Sequence, residues 1–182
     1  MAVEVEAATL MALRVAKATD LMAGSPQERL LARVATPAAK FFNCSRAPSV
    51  ANEALQCHGG NGFIEENPMA RVFRESPLNS VWEGTANMMC MDVRRAMVRD
   101  PRTLDAVRDE LEPLTGQDPR FDALVRHTEQ LMHAAVADEF LARPMTEALA
   151  RALQGAELLR HSPPEVVDIF LATRGPNPGG AW

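Results

Sequence analysis

The sequence has no tyrosine, three cysteines and only 5% aromatic residues among its 182 positions. An odd number of cysteines without C-x-x-C spacing argues against a disulfide framework and against a zinc site. Lysine is almost as scarce, since 17 of the 19 basic residues are arginine. The chain carries 24 acidic residues and a net charge of −5, which gives no overall cationic field for nucleic acid. Neither a metal nor a nucleic acid is therefore expected as a partner.

Long apolar runs are also missing. None approaches the roughly 20 residues that a membrane-spanning helix needs, so no membrane partner is expected. The first turns carry Glu4, Glu6, Arg14 and Lys17 at intervals, which is not the pattern of a secretory signal peptide. We therefore expect a soluble cytoplasmic protein.

The abundant residues favour helix. Alanine, leucine, methionine, arginine and glutamate dominate, and isoleucine occurs only twice. We predict an all-α fold, a kinked antiparallel helix bundle with a C-terminal helical extension. Asp100-Pro101 marks the expected boundary between a bundle at 1–98 and an extension at 99–182, whose tail at about 175–182 is expected to fray. The net charge of −5 lies entirely in the second part.

Capping and breaking residues set the expected helix boundaries. A three- and four-residue apolar period predicts a first helix of about 18 residues that ends near residues 20–24. Ser25-Pro26-Gln27-Glu28 then supplies a capping serine, a first-turn proline and a glutamate able to complete a capping box. Pro37 should kink the second helix and Pro48 should break or restart it, before Gly59-Gly60 ends it. The other helices are expected at about 80–98, 101–113, 119–141 and 145–160 and after Pro163-Pro164, with 59–79 a loop that holds one helical turn near 70–74.

One stretch is chemically unlike the rest of the chain. It contains the segments QCHGGNGF (56–63), RE (74–75) and WEGTAN (82–87). Its glycines are typical of a helix C-cap, but bare glycine backbone would also let amide groups approach a phosphate. No Lys-Ser/Thr pair follows as in a Walker loop, and no strand precedes as in a dinucleotide-binding fold. The spacing of the glycines does not decide between a helix cap and a phosphate contact.

Glu83 also has two interpretations. Ser80-x-x-Glu83 is a capping box, and an acidic residue suits the first turn of a helix. A carboxylate desolvated among Phe63, Trp82 and a methionine-rich helix would instead have a raised pKa and act as a general base. Spacing does not decide between them.

In this order, the segments resemble the C-terminal helical domain of the acyl-CoA dehydrogenase family. The family pattern is Gln-x-x-Gly-Gly-x-Gly-aromatic, then Arg-Asp, then aromatic-Glu-Gly-Thr, and RE replaces Arg-Asp here. TPAAKFF and the residues around WEGTAN are similar to the alkylation-response (AidB-like) branch. The resemblance covers residues 1–98 strongly and the remainder loosely.

The resemblance implies FAD-dependent α,β-desaturation of an acyl-CoA substrate by a homo-oligomer. Glu83 matches the family's catalytic base, and Gly84 matches a substrate-contacting position. The positions that match family contacts to FAD are Thr85 and Asn87 at the adenosine part, and Gln56, Gly59 and Gly60 toward the FAD of a neighbouring subunit.

The family's N-terminal helical domain and middle β-domain have no counterpart in this chain, nor has its Arg-x-x-Phe-Gly contact to FAD. We therefore expect this chain alone to be incomplete as an enzyme. Its expected partners are further copies of itself in a homo-oligomer, or a separate chain that supplies those domains. A non-catalytic helical assembly module is the alternative. A DNA-associated alkylation-response protein is disfavoured by the acidic second half.

The four histidines and three cysteines carry no site of their own. His127 and His133 are six residues apart and so cannot share a metal on one helix face. The histidines are expected at the surface or at helix caps, and the cysteines as small buried residues.

Overall fold

The computed structural model describes residues 1–176, and every regular element in that range is helical, which confirms the all-α prediction. The helices are α1 (Ala2–Leu21), α2 (Pro26–Cys57), α3 (Gly60–Phe63), α4 (Pro68–Glu75), α5 (Ala86–Arg99), α6 (Arg102–Leu111), α7 (Pro119–Ala137), α8 (Ala142–His161) and α9 (Pro164–Arg174). Short 3-10 turns lie at Ser76–Ser80, Glu112–Leu114 and Glu139–Leu141. Of the tail expected to fray, positions 177–182 lie outside the described residues.

Helix α2 begins where the sequence predicts. Ser25 is its N-cap, and the Ser25 hydroxyl accepts a hydrogen bond from the Glu28 amide at 3.2 Å, with Pro26 in the first turn. The second half of the expected capping box is not formed. The Ser25 amide donates to the Leu21 carbonyl at 3.1 Å, and the Glu28 carboxylate instead pairs with Arg14.

The predicted break at Pro48 is wrong. Helix α2 runs through both Pro37 and Pro48 for 32 residues. A proline removes one backbone hydrogen bond, but α1, α5, α6 and α8 all pack on this helix and hold it together. Gly59 ends α2 as predicted, with φ of +58°.

Residues 59–79 are more helical than predicted. Instead of a loop with one turn, they form α3, α4 and most of the 3-10 turn at Ser76–Ser80. Pro68 occupies the first turn of α4, and Pro77 the first turn of the 3-10 segment, where a missing amide costs little. As a consequence, α5 begins at Ala86 rather than near Ser80.

The core is centred on α2 and α8. Every side chain of α8 from Ala148 to Leu158 is buried, because α1, α2 and α5 cover one side of it and α7 and α9 the other. Inside this core, the side-chain amide of Gln154 (Nε2) donates a hydrogen bond to the side-chain oxygen of Asn43 (Oδ1) on α2 at 3.2 Å. Helices of both predicted parts thus share one core, and the division near residue 98 stays a prediction.

A chain of ion pairs joins the first part of the protein to the second. The Arg14 guanidinium on α1 lies 2.8 Å from the Glu28 carboxylate and 2.6 Å from the Glu110 carboxylate of α6. Arg160 of α8 also pairs with Glu110 and, within α8, with Glu157. Burial acts to raise the pKa of Glu110, but the Arg14 and Arg160 guanidiniums outweigh it and hold that pKa below its usual range.

Within residues 1–176, no helix combines the length and the apolarity needed to cross a membrane.

Replacing Arg14 by methionine should lower the free energy of unfolding by about 2–3 kcal/mol, because it leaves two half-buried carboxylates without their shared partner. Arg108→Met is the matched control, since Arg108 is exposed and its nearest carboxylates are 3.4 and 3.5 Å away. The control should cost less than about 0.5 kcal/mol. Urea denaturation measures both, and equal losses would contradict a special role for Arg14.

Candidate functional site

Glu83 lies in a tight turn between the 3-10 segment and α5, not in the first turn of a helix. Its φ is +55° and that of Gly84 is +105°, so two successive residues adopt left-handed backbone conformations. The Ser80 hydroxyl donates to the Pro77 carbonyl at 2.9 Å, and Thr85 is the N-cap of α5. The capping-box interpretation of Ser80 and Glu83 is therefore wrong, because the 3-10 turn uses the serine and delays the helix.

The Glu83 carboxylate is exposed and has no hydrogen bond or ion pair within residues 1–176. Val81 and Trp82 beside it are 57% and 56% exposed, so apolar side chains flank the carboxylate without covering it. Phe63 is not among its neighbours, because α3 packs against the far end of α2. The desolvation expected from the sequence is therefore not achieved by this chain alone.

The turn is attached to the middle of α2. The Lys40 ammonium donates a hydrogen bond to the Gly84 carbonyl. Gly84 also packs closely on Met89, since a Cβ at position 84 would overlap the Met89 methyl group. A groove of about 830 Å³ runs between α1, α2 and α5, and both Lys40 and Glu83 line it.

The glycines at the end of α2 cap the helix, and two of them also leave their backbone accessible to a ligand. A Cβ at Gly59 or at Gly60 would meet no atom within 4 Å, so the backbone there is accessible. Gln56 is exposed beside them. Gly62 differs, because it is buried and a Cβ on it would overlap the Leu55 carbonyl oxygen. The two interpretations of the glycines are thus compatible.

Two groups of candidate residues lie at separate places along α2. Gly84 is attached at Lys40, whereas Gln56 lies 16 residues further along the same helix. At 1.5 Å per residue, this places the two groups about 24 Å apart. One chain does not bring Gln56, Gly59 and Gly60 together with Glu83, Thr85 and Asn87.

Comparison with known proteins identifies the family to which this helical unit belongs. A sequence model described as the C-terminal domain of acyl-CoA dehydrogenase matches residues 1–98. The chain belongs to the acyl-CoA dehydrogenase family.

Individual relatives cover nearly the whole chain. The chain is 36% identical to "Putative acyl-CoA dehydrogenase AidB" of Escherichia coli over 179 residues, which is 96% of this chain and 32% of AidB. It is 29% identical to 3-methylmercaptopropionyl-CoA dehydrogenase of Ruegeria pomeroyi over 171 residues, 90% of this chain and 25% of that protein. The chain therefore spans about a quarter to a third of the length of these relatives.

One solved structure shows that the fold extends beyond residues 1–98. The crystal structure of Caenorhabditis elegans ACDH-11 in complex with C11-CoA superposes with a TM-score of 0.80. The superposition covers 98% of this chain and 35% of ACDH-11, at 21% sequence identity. The helices that follow residue 98 are thus part of a fold already known in an acyl-CoA dehydrogenase.

Arg143 is a residue beside the candidate site that the sequence motifs did not indicate. Its guanidinium donates to the Asn87 side-chain oxygen at 2.8 Å and lies over the Phe41 ring at 5.2 Å from the centroid. Nothing in the local sequence signals this pairing, since 56 residues separate Arg143 from Asn87. Thr85, by contrast, is exposed, and its side chain makes no cap hydrogen bond.

The remaining candidates of the sequence are structural or exposed. His58, His133 and His161 are exposed, and no group of three or more potential ligands within 1–176 is arranged to hold a metal ion. Cys90 is buried as expected, whereas Cys57 is exposed, contrary to expectation. Burial raises the pKa of the Cys90 thiol.

Gly62→Ala should lower the free energy of unfolding by about 1–3 kcal/mol, because α3 must move away from the Leu55 carbonyl to admit the methyl group. Gly60→Ala is the matched control, two positions away in open space. Its stability should be unchanged or higher by up to about 1 kcal/mol, the difference in helix propensity. Thermal unfolding of both variants checks this, and a fully stable Gly62→Ala variant would refute the close approach.

Proposed function

We propose that the chain is the C-terminal helical part of an FAD-dependent acyl-CoA dehydrogenase, in which Glu83 is the general base. The observation that carries the proposal is the Glu83 carboxylate itself. It has no partner within residues 1–176, it stands on an anchored turn, and its segment WEGT resembles the aromatic-Glu-Gly-Thr pattern of the family. A carboxylate placed in this way is available to accept a proton.

The proposed reaction oxidises the bond between the α- and β-carbons of an acyl thioester. Glu83 removes the α-proton, and its carboxylate becomes a carboxylic acid. A bound FAD would supply the acceptor for the hydride that leaves the β-carbon, and a carbon–carbon double bond would remain in the product. The exposed Val81 and Trp82 side chains would exclude water from Glu83 once a further domain covers them.

The residues present fit the polar parts of the cofactor. The Thr85 hydroxyl and the Asn87 side chain are exposed at the start of α5. At the end of α2, the Gln56 amide and the bare backbone of Gly59 and Gly60 are exposed. Because about 24 Å of helix separates the two sets, we propose that each set contacts a different FAD in a homo-oligomer.

A helical assembly module is the second candidate function. The observation in its favour is that large apolar side chains are uncovered at both candidate places, since Trp82 and Met88 near the turn are 56% and 54% exposed and Phe63 after α2 is 76% exposed. In this case the surface binds a chain that carries the missing domains, without taking part in a reaction. A cytoplasmic location stays a prediction of the sequence. The absence of DNA binding also stays a prediction, made from the acidic second half.

In a complex with the N-terminal and β-domains, Glu83→Gln should abolish acyl-CoA oxidation, because the amide cannot accept the α-proton. Binding of the acyl-CoA should persist, since the two side chains have the same shape. Glu66→Gln, another exposed glutamate outside the motif, is the control and should keep its turnover. Steady-state reduction of an electron acceptor measures both variants. Near-normal turnover of Glu83→Gln would remove Glu83 from the role of base.

Retention of flavin separates the two candidate functions. The chain is mixed with FAD, alone or with the protein that supplies the missing domains, and is then desalted. We expect visible flavin bands in the second sample, because the FAD contacts proposed among the described residues lie at two separate places, near the middle of α2 and at its C-terminal end. The Thr85→Ala variant should retain less FAD, whereas Thr115→Ala, far from both sets, should not. If the complex forms but no sample retains flavin, the assembly module is favoured.

A further inference from the structure

The turn that carries Glu83 has an unusual backbone for a non-glycine residue. Left-handed backbone is strained at a non-glycine residue such as Glu83, whose φ is +55°, and it persists only where surrounding contacts enforce it. The turn supplies few such contacts itself. The Val81 and Trp82 amides both bond to the Leu78 carbonyl, within the preceding 3-10 turn.

One hydrogen bond ties this turn to another part of the fold. Within residues 1–176, the bond from the Lys40 ammonium to the Gly84 carbonyl is the only hydrogen bond between 81–85 and an element not adjoining it in sequence. It is charge-assisted, and it acts on the carbonyl of the Gly84–Thr85 peptide group, one residue beyond Glu83. By holding the Gly84 carbonyl, the bond restrains the backbone of the turn from which the Glu83 side chain projects.

Lys40 is well placed to act as an anchor. It is half-buried in the middle of α2, between the buried residues Ala39 and Phe41. The neighbouring face of α2 is fixed against α5 by two hydrogen bonds from Arg33 to Asp92, at 2.7 and 2.9 Å. The anchor therefore belongs to a rigid element, whereas the turn that it holds is exposed.

We propose that Lys40 is the positioning residue for Glu83. It fixes the Gly84 peptide group and thereby the direction of the Glu83 carboxylate, without touching the substrate. Lys40 and Glu83 line the same groove. The effect on catalysis rests on the proposed function of Glu83, whereas the effect on the turn does not.

The first experiment measures the rigidity of the turn in the chain itself, by ¹⁵N relaxation of the backbone amides. Lys40→Met keeps the length of the side chain and removes its donor. We expect the order parameters at 83 and 84 to fall from about 0.85 to below 0.6, while those in α2 stay unchanged. Lys40→Arg should restore them, and Lys17→Met, at the only other lysine, should leave them unchanged. A turn that stays rigid in Lys40→Met would overturn the proposal, as would a loss of order spread over the whole chain.

Turnover is tested next, in the complex that contains the N-terminal and β-domains. Lys40→Met should lower kcat by about 10- to 100-fold through misplacement of the base, with KM within about twofold of the parent. Lys40→Arg should recover most of kcat. An unchanged kcat with a loosened turn would overturn the positioning role. If Glu83→Gln itself has no effect, the proposed function fails, and the relaxation result still decides whether Lys40 holds the turn. Should Lys40→Met not fold, Lys40→Gln is measured in the same way.

Discussion

Helix α2 continues through Pro37 and Pro48 because neighbouring helices pack against it along most of its length. This continuity is the constraint on which the rest of the structure depends. The two candidate sets of residues are attached to α2 at positions 40 and 56, so an unbroken helix fixes the distance between them. A break at Pro48 would leave that distance undefined. Packing has here overcome the local preference of a proline, because several helices cover the region.

The second part of the chain is bound to the first by polar as well as apolar contacts. Arg14 connects α1 to α2 and α6, while Gln154 of α8 reaches Asn43 of α2 inside the core. Arg143 extends this connection to the candidate site through its hydrogen bond to Asn87. The helices after residue 98 are therefore structural partners of the site rather than an appendage.

The candidate site is open to solvent. Glu83 has a defined position but is exposed, and the apolar residues beside it are uncovered. The exposed backbone of Gly59 and Gly60 lies at the C-terminal end of α2, away from the turn that is attached near its middle. Under the proposed function, such an arrangement holds Glu83 in a defined position, and other domains or subunits would supply its desolvation. The chain covers 32% of the length of AidB, which leaves ample sequence in such a protein for those surfaces.

The sequence by itself determined the helical composition, the start of α2 at Ser25 and Pro26, its end at Gly59, and the order of the motif residues. These features are local, since they depend on side-chain propensity, on a cap or on a missing amide. Only the tertiary structure decided that α2 passes through Pro48, that Glu83 stands in a left-handed turn instead of a helix cap, and that its carboxylate is exposed. It also decided the partners of the site, Lys40 with Gly84 and Arg143 with Asn87, which are 44 and 56 residues apart in sequence. Such pairs form because distant helices pack together, and no periodicity or short motif records which side chains that packing brings into contact.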